Sequence, residues 1–456
     1  MFILGGFTKM MKKRDYRPKI HFSPEKGWMN DPNGMVYVDG VYHFFYQKYP
    51  YDTSWGPMHW GHATSRDLIH WEHQPIALYP DELGFIFSGS AVYDTQNSSE
   101  YGTNENPPII AIYTSHHKDG LEQQSIAYSN DKGRHFEKSY LNPVIKNPGI
   151  SDFRDPKAFW NPVRRCWSLV LAAQDRVFFY ASQNMKNWEK TGEFGPEGNH
   201  VKGVWECPDL FEIDGQQIMT CCPQGVDQKG YDYQNVYQCG YFPVEFDLKN
   251  KSYSFGKFQE FDKGFDIYAT QTFADEAGRR ILIGWMGIPD ADYDNDATVA
   301  YDWIHALTMP RELEWKDGKI LQHPLKEMKD LRKNAFTCEL EAFTKWAPAD
   351  CCFELRLDVE EAKNLELKLR EDVTISWKDG LFTLSMGESG RGRKQRFAKV
   401  EELSDITIFS DTSAIEIFIN NGETVLTTRV YSEHLEQKVE LVSREVKGSV
   451  HGYELG

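Results

Sequence analysis

DPNGMVYVDGVYHFF (31–45), DPKAFWNPVRRCWSLV (155–170) and ECPDLFEIDGQQIMT (206–220) are built on one plan. Each opens on a carboxylate, reaches a proline within two residues, and continues as strand, turn and second strand. The β-branched and aromatic residues suit strands. Asp39-Gly40 and Asp214-Gly215 are the dipeptides that tight hairpins favour, because both turn residues need positive φ. One Asp-Pro alone reads as a polar turn opening. Three carboxylates at the same place in the same unit predict more. If each unit is a blade of a β-propeller and its first strand lines the axis, Asp31, Asp155 and Glu206 converge on one funnel.

Outward from these copies the chain stays β-rich. A second repeat, a strand ending in a small residue and Ser, then a polar turn and an aromatic, appears as ATSRDLIHW (63–71), AYSNDKGRHF (127–136) and ASQNMKNW (181–188). Asp379-Gly380 and Asn421-Gly422 mark further hairpins. Helical periodicity is scarce, and Pro324 to Lys333 is the best short candidate. Beyond it the pattern changes to alternating strands at hairpin spacing, among them VTISWKDGLFTLSM (373–386) and AIEIFINNGETVLTTRVY (414–431), which predict a β-sandwich. The expected organisation is all-β: a catalytic propeller over 1–325, a linker over 326–336 and a sandwich over 337–456.

The 456 residues carry a formal net charge of −17, which argues against nucleic acid and anionic membrane as partners. No run of 18 apolar residues exists to span a bilayer. Near the N-terminus the apolar stretch Phe2 to Phe7 precedes the basic residues Lys9 and Lys12 to Arg14, the reverse of a secretory signal, so a cytoplasmic protein is expected. The eight cysteines include the adjacent pairs Cys221–Cys222 and Cys351–Cys352 but no CxxC, which reads as free thiols. Aromatic residues are 14% of the chain, a share that suits both strands and sugar-stacking walls.

Two carboxylates in one cleft are the minimum for glycoside hydrolysis: one protonates the leaving oxygen while the other attacks or activates water. A separation of about 5 Å gives a nucleophile and retention, a wider one inversion. A third carboxylate is free to bind sugar hydroxyls in the oxocarbenium-like transition state. Sequence alone leaves these roles open among the three. No metal-ligand cluster, phosphate-cradling loop or Ser-His-Asp signature competes, so no metal and no cofactor is expected. His116 and His117 are expected in ordinary surface or packing roles. Cys207, next to Glu206, is expected to pack beside that carboxylate rather than act as a nucleophile.

WMNDPNG (28–34), FSGSAVYD (87–94), FRDPK (153–157), WECPDLFEI (205–213) and MPREL (309–313) together resemble glycoside hydrolase family 32, and DTSAIEIFINNGE (411–423) resembles that family's sandwich domain. The family holds invertases, levanases, inulinases and sucrose-6-phosphate hydrolases. The resemblance implies a five-bladed propeller followed by a sandwich, and a retaining β-fructofuranosidase acting on a small sugar. It implies that Asp31 is the nucleophile, Glu206 the general acid/base and Asp155 the transition-state stabiliser. Asn30, Gln47, Trp55, Phe87, Ser88, Arg154 and Trp285 match positions that bind or wall the fructosyl unit. For the aromatics, packing between blades is the competing reading. For Arg154, it is an ion pair with Asp155 that lowers that carboxylate's pKa.

Residues 221–242 and 262–287 are similar to the bacterial sucrose-6-phosphate hydrolases, which makes sucrose or its 6-phosphate the expected substrate. Hydrolysis of short fructo-oligosaccharides is the alternative. A non-catalytic sugar-binding propeller is disfavoured because all three carboxylates are present. Lys48, Lys229 and Arg279 are candidate phosphate contacts, each also readable as a solvated surface charge. The oligomeric state is not legible.

Overall fold

The computed structural model describes residues 15–195, 201–247, 252–433 and 438–456. The N-terminal run from Phe2 to Arg14 lies outside the described residues. No helix among them is long and apolar enough to cross a membrane. The described chain is almost entirely antiparallel sheet, with short 3-10 turns at Asp296–Tyr301, Lys326–Leu331 and Glu388–Gly390. The helix expected near 324–333 contracts to the second of these. Its buried residues Met328 and Leu331, with buried Leu325 just before it, recur every third position, which is the 3-10 repeat.

Five sheets follow one another along the first part of the chain, led by the strands Gly27–Val38, Phe85–Tyr93, Phe153–Asn161, Trp205–Ile213 and Tyr268–Ala274. Each leading strand packs against the next, and the fifth packs against the first. The first sheet gains a parallel edge strand, Trp303–Ile304, in register with Gly27 and Trp28. Two six-stranded sheets complete the fold. They enclose a core of Leu355, Leu357, Ile375, Leu384, Ile406 and Ile417. This architecture is consistent with a propeller followed by a sandwich.

The four dipeptides read as hairpin turns have positive φ at both residues. The second repeat is one turn used three times: Ser65, Ser129 and Ser182 each donate through Oγ to the side chain two residues on, Asp67, Asp131 and Asn184. Every leading strand also carries a register shift near its start, at 29–32, 86–89, 154–157, 206–209 and 268–271. A bulge of this kind re-aims a side chain out of the strand's alternation.

The seam between the two parts has a polar centre. Arg311 of the MPREL stretch is fully buried and donates to Glu416 at 2.9 and 2.7 Å, to Asp262 at 3.2 Å and to Thr427 at 2.6 Å. His21 lies between Asp411 and Glu416, at 2.8 and 3.1 Å.

Candidate active site

The bulges gather the carboxylates. Asp31 falls inside the shift of the first leading strand, Asp155 inside that of the third, and Glu206 at the edge of that of the fourth. Asp155 adopts φ +62° and Cys207 φ +49°, left-handed conformations that cost a non-glycine residue energy and turn its side chain out of the pleat. The three carboxylates open into one cleft of about 680 Å³, and Asn30, Gln47, Trp55, Phe87, Ser88, Arg154 and Trp285 line it too.

Asp31 accepts from Ser88 Oγ at 2.6 Å and from Asn30 Nδ2 at 2.8 Å. Burial pushes it up to about 6 against these two bonds, and the Glu206 charge adds to the rise. Asp155 accepts from the Cys207 backbone N–H at 2.9 Å, while its own N–H donates to Thr114 Oγ1 at 3.0 Å. Burial raises Asp155 as well, more than the Arg154 charge lowers it, and the Glu206 and Asp31 charges act in the same direction as burial.

Glu206 sits among donors: Arg154 Nη2 at 2.9 Å, Gln224 Nε2 at 2.7 Å and Tyr268 OH at 2.6 Å. Arg154 also donates to Asp152 at 2.7 Å and to Glu122 at 3.3 Å. Its ion pairs therefore run to Glu206, Glu122 and Asp152. The expected close pair with its neighbour Asp155 does not form, because adjacent side chains leave the strand in different directions. Only the longer-range Arg154 charge reaches Asp155. Burial opposes the guanidinium's charge, but the surrounding carboxylates outweigh it and hold it protonated.

The Cys207 thiol lies 3.8 Å from Asp31 Oδ2. A contact from Cys222 favours its thiolate, yet burial and the three carboxylates push it well above the usual thiol range. That leaves it a neutral packing group, unsuited to nucleophilic attack.

The walls are aromatic. Trp55 is 51% exposed and stands at the rim, edge-on to Phe85 and Phe87, so it is not a packing residue between sheets. Phe87 stacks on His116 at 4.1 Å. Trp285 is buried, and a Cβ at Gly287 would come 2.5 Å from its indole, which is why a glycine stands there. Trp285 Nε1 and Gln47 Nε2 are buried without a hydrogen-bond partner among the described residues. Such donors carry a desolvation cost until a ligand satisfies them.

Both parts of the chain match one family. Residues 21–324 match the glycosyl hydrolases family 32 N-terminal domain and residues 325–454 the family 32 C-terminal domain. The chain belongs to glycosyl hydrolase family 32. It is a glycoside hydrolase. It is 39% identical to the levanase of Bacillus subtilis, over 94% of this chain and 68% of that protein. It is 33% identical to the sucrose-6-phosphate hydrolase of the same organism, over 91% and 89%. The structure of the Bombyx mori GH32 beta-fructofuranosidase BmSUC1 superposes with a TM-score of 0.85 at 34% identity, covering 97% of this chain and 94% of the other.

Several cleft residues of this family 32 hydrolase escape a reading of its sequence. His116, expected in an ordinary surface or packing role, lines the cleft, hydrogen-bonded to Glu122 at 3.2 Å. Glu122, Trp28, Tyr268 and the segment from Ile288 to Asp296 line it as well. Tyr268 had a signal: it stands at the opening edge of the fifth leading strand's register shift, the place that Glu206 holds in the fourth. The phosphate candidates do not reach the cleft lining. Lys48 is buried over the Tyr46 ring, Arg279 is paired with Asp275 and Glu327, and Lys229 is exposed in a turn elsewhere.

Proposed function

We propose that this enzyme is a retaining β-fructofuranosidase of sucrose or sucrose 6-phosphate, built on a five-bladed propeller over 1–325, a linker over 326–336 and a sandwich over 337–456. The observation that carries the reading is the gathering of Asp31, Asp155 and Glu206 in one cleft beside donors left without partners. In the proposed reaction an Asp31 oxygen attacks the anomeric carbon of the fructosyl unit, the bond to the leaving sugar breaks, and the leaving oxygen takes a proton from Glu206. Water then attacks the same carbon, gives its proton to Glu206 and releases Asp31. Asp155 holds fructosyl hydroxyls through both steps. The BmSUC1 structure with sucrose bound and the sucrose-6-phosphate hydrolases among the relatives support this substrate class.

Charge favours the neutral sugar of the two. Seven acidic residues line the cleft among the described residues, against one arginine already paired with three of its neighbours. A phosphate would enter an acidic surround, so a higher kcat/KM on sucrose than on sucrose 6-phosphate is expected. The eight free thiols support a reducing compartment, the cytoplasm.

The role assignment is tested with Asp31→Ala and Glu206→Ala. Each should lose at least about a thousandfold in rate. Glu206→Ala alone should recover on a fructoside with an activated leaving group, which needs no protonation. Equal recovery in both variants would overturn the assignment.

A further inference from the structure

His305 is a residue that the reaction above leaves without a task. It lines the cleft, is 6% exposed, and adopts φ +74°, a strained conformation for a side chain of its size. It stands edge-on to Trp28 at 4.4 Å and to Trp285 at 5.0 Å. Trp28 in turn donates to Asn30 at 2.8 Å, and Asn30 donates to Asp31. Among the described residues His305 Nε2 has no hydrogen-bond partner, the third such buried atom in this cleft after Trp285 Nε1 and Gln47 Nε2.

Its neighbours decide which ring nitrogen carries the hydrogen. Asn295 is buried beside it, with Nδ2 3.4 Å from His305 Nδ1. The orientation of that amide is fixed from the far side. Arg393 Nη2 reaches Asn295 Oδ1 at 2.7 Å and Tyr431 OH reaches it at 2.8 Å. A guanidinium only donates, so the atom it meets must be the carbonyl oxygen, and the amide NH₂ must face the imidazole. Nδ1 then accepts, and a neutral ring carries its hydrogen on Nε2. Burial, with the Arg429 and Arg393 charges, holds the ring well below the usual histidine range and so neutral. Arg393 is itself anchored by two 2.7 Å bonds to the buried Asp266 and covers the Tyr293 ring at 4.2 Å.

We propose that His305 is a substrate-binding residue whose Nε2–H donates to a hydroxyl of the sugar unit held over Asp31, and that Asn295, oriented by Arg393 and Tyr431 of the C-terminal part, is the positioning residue that fixes its tautomer. The inference rests on the fructosyl cleft proposed above and adds to it a donor and a task for the C-terminal part of the chain. The three unpartnered donors, on Gln47, Trp285 and His305, form a set that a polyhydroxylated ring satisfies at once.

Kinetics on sucrose and nitrogen NMR of histidine-labelled enzyme test it together. His305→Phe should lower kcat/KM on sucrose about tenfold, the effect of one buried hydrogen bond to substrate. His305→Gln, whose amide still donates near the same point, should recover part of that loss. Asn295→Asp should lose activity although His305 remains, because a carboxylate there accepts from Nδ1–H and reverses the tautomer. In the unaltered enzyme the His305 signals should be those of the Nε2–H form and should move when fructose is added. The opposite tautomer, signals indifferent to fructose, or a folded His305→Phe enzyme within twofold of the parent would overturn the proposal. An unaltered enzyme that hydrolyses no fructoside would instead overturn the proposed function, whatever tautomer is found.

Discussion

Ser88 and Asn30 are the groups that hold Asp31 ionised against its own burial. The nucleophile acts as a carboxylate, so its pKa of about 6 should set the acid limb of kcat/KM, with activity falling as pH drops through that value. Removing the Ser88 hydroxyl withdraws a bond that favours the charged form, so Ser88→Ala should move the limb to higher pH. A pH profile on sucrose checks this, and an unmoved or lowered limb would mean that another group sets it. At this scale the sequence was most legible where a residue sits in a repeated unit: the three carboxylates stand out because their setting recurs. Glu122, His116 and His305 stand in no such pattern. Their places in the cleft follow from strand register and from a left-handed turn at residue 305, which only the folded chain reveals.

Bulges at the head of each leading strand are the device that turns a repeated sequence into a site. The register shifts lie where the motif prolines stand, at Pro32, Pro156 and Pro208. A proline has no N–H for the ladder, so the extra residue costs little pairing there. The turn chemistry was also readable, since Asp-Gly and Asn-Gly name their own φ values. The short helix was not, because a spacing of three along Leu325, Met328 and Leu331 is shared by 3-10 and the start of an α pattern. Gly34 lies in a second register shift of the first leading strand, between Asn33 and Val36, with φ +55°, and a Cβ there would lie 2.7 Å from the Phe45 ring and 3.1 Å from Trp60. Strain and overpacking together should make Gly34→Ala less stable by about 2–4 kcal/mol. Urea unfolding measures this, and a loss under about 1 kcal/mol would show that the strand relaxes around the methyl group.

The whole molecule is joined by buried charges, and its stability should follow their titration. Burial alone would push His21 down, but its bonds to Asp411 and Glu416 raise it to about 9. Burial would likewise raise Asp411, yet His21 and backbone donors hold it at about 2. The His21 contribution is therefore complete below its unfolded value near 6.5 and is lost as pH rises through about 9. The Asp411 contribution is complete above about 4 and is lost as pH falls towards 2. Stability from this seam should peak between these limits and fall on the alkaline side by an amount on the order of 3 kcal/mol. Denaturant midpoints from pH 5 to 10 should fall more steeply in the parent than in His21→Gln, and parallel slopes would remove His21 as the cause. The edge strand Trp303–Ile304 imposes an order in time as well. Synthesis runs from the N-terminus, so Asp31, Asp155 and Glu206 all leave the ribosome while Gly27 and Trp28 still lack the partner that completes their sheet. The last backbone bond of that sheet, from Gly27 N–H to the carbonyl of Asp302, waits for a segment made long after the carboxylates. His305 is translated immediately behind that strand, so on the nascent chain the edge that completes the first sheet and the histidine packed against Trp28 arrive together.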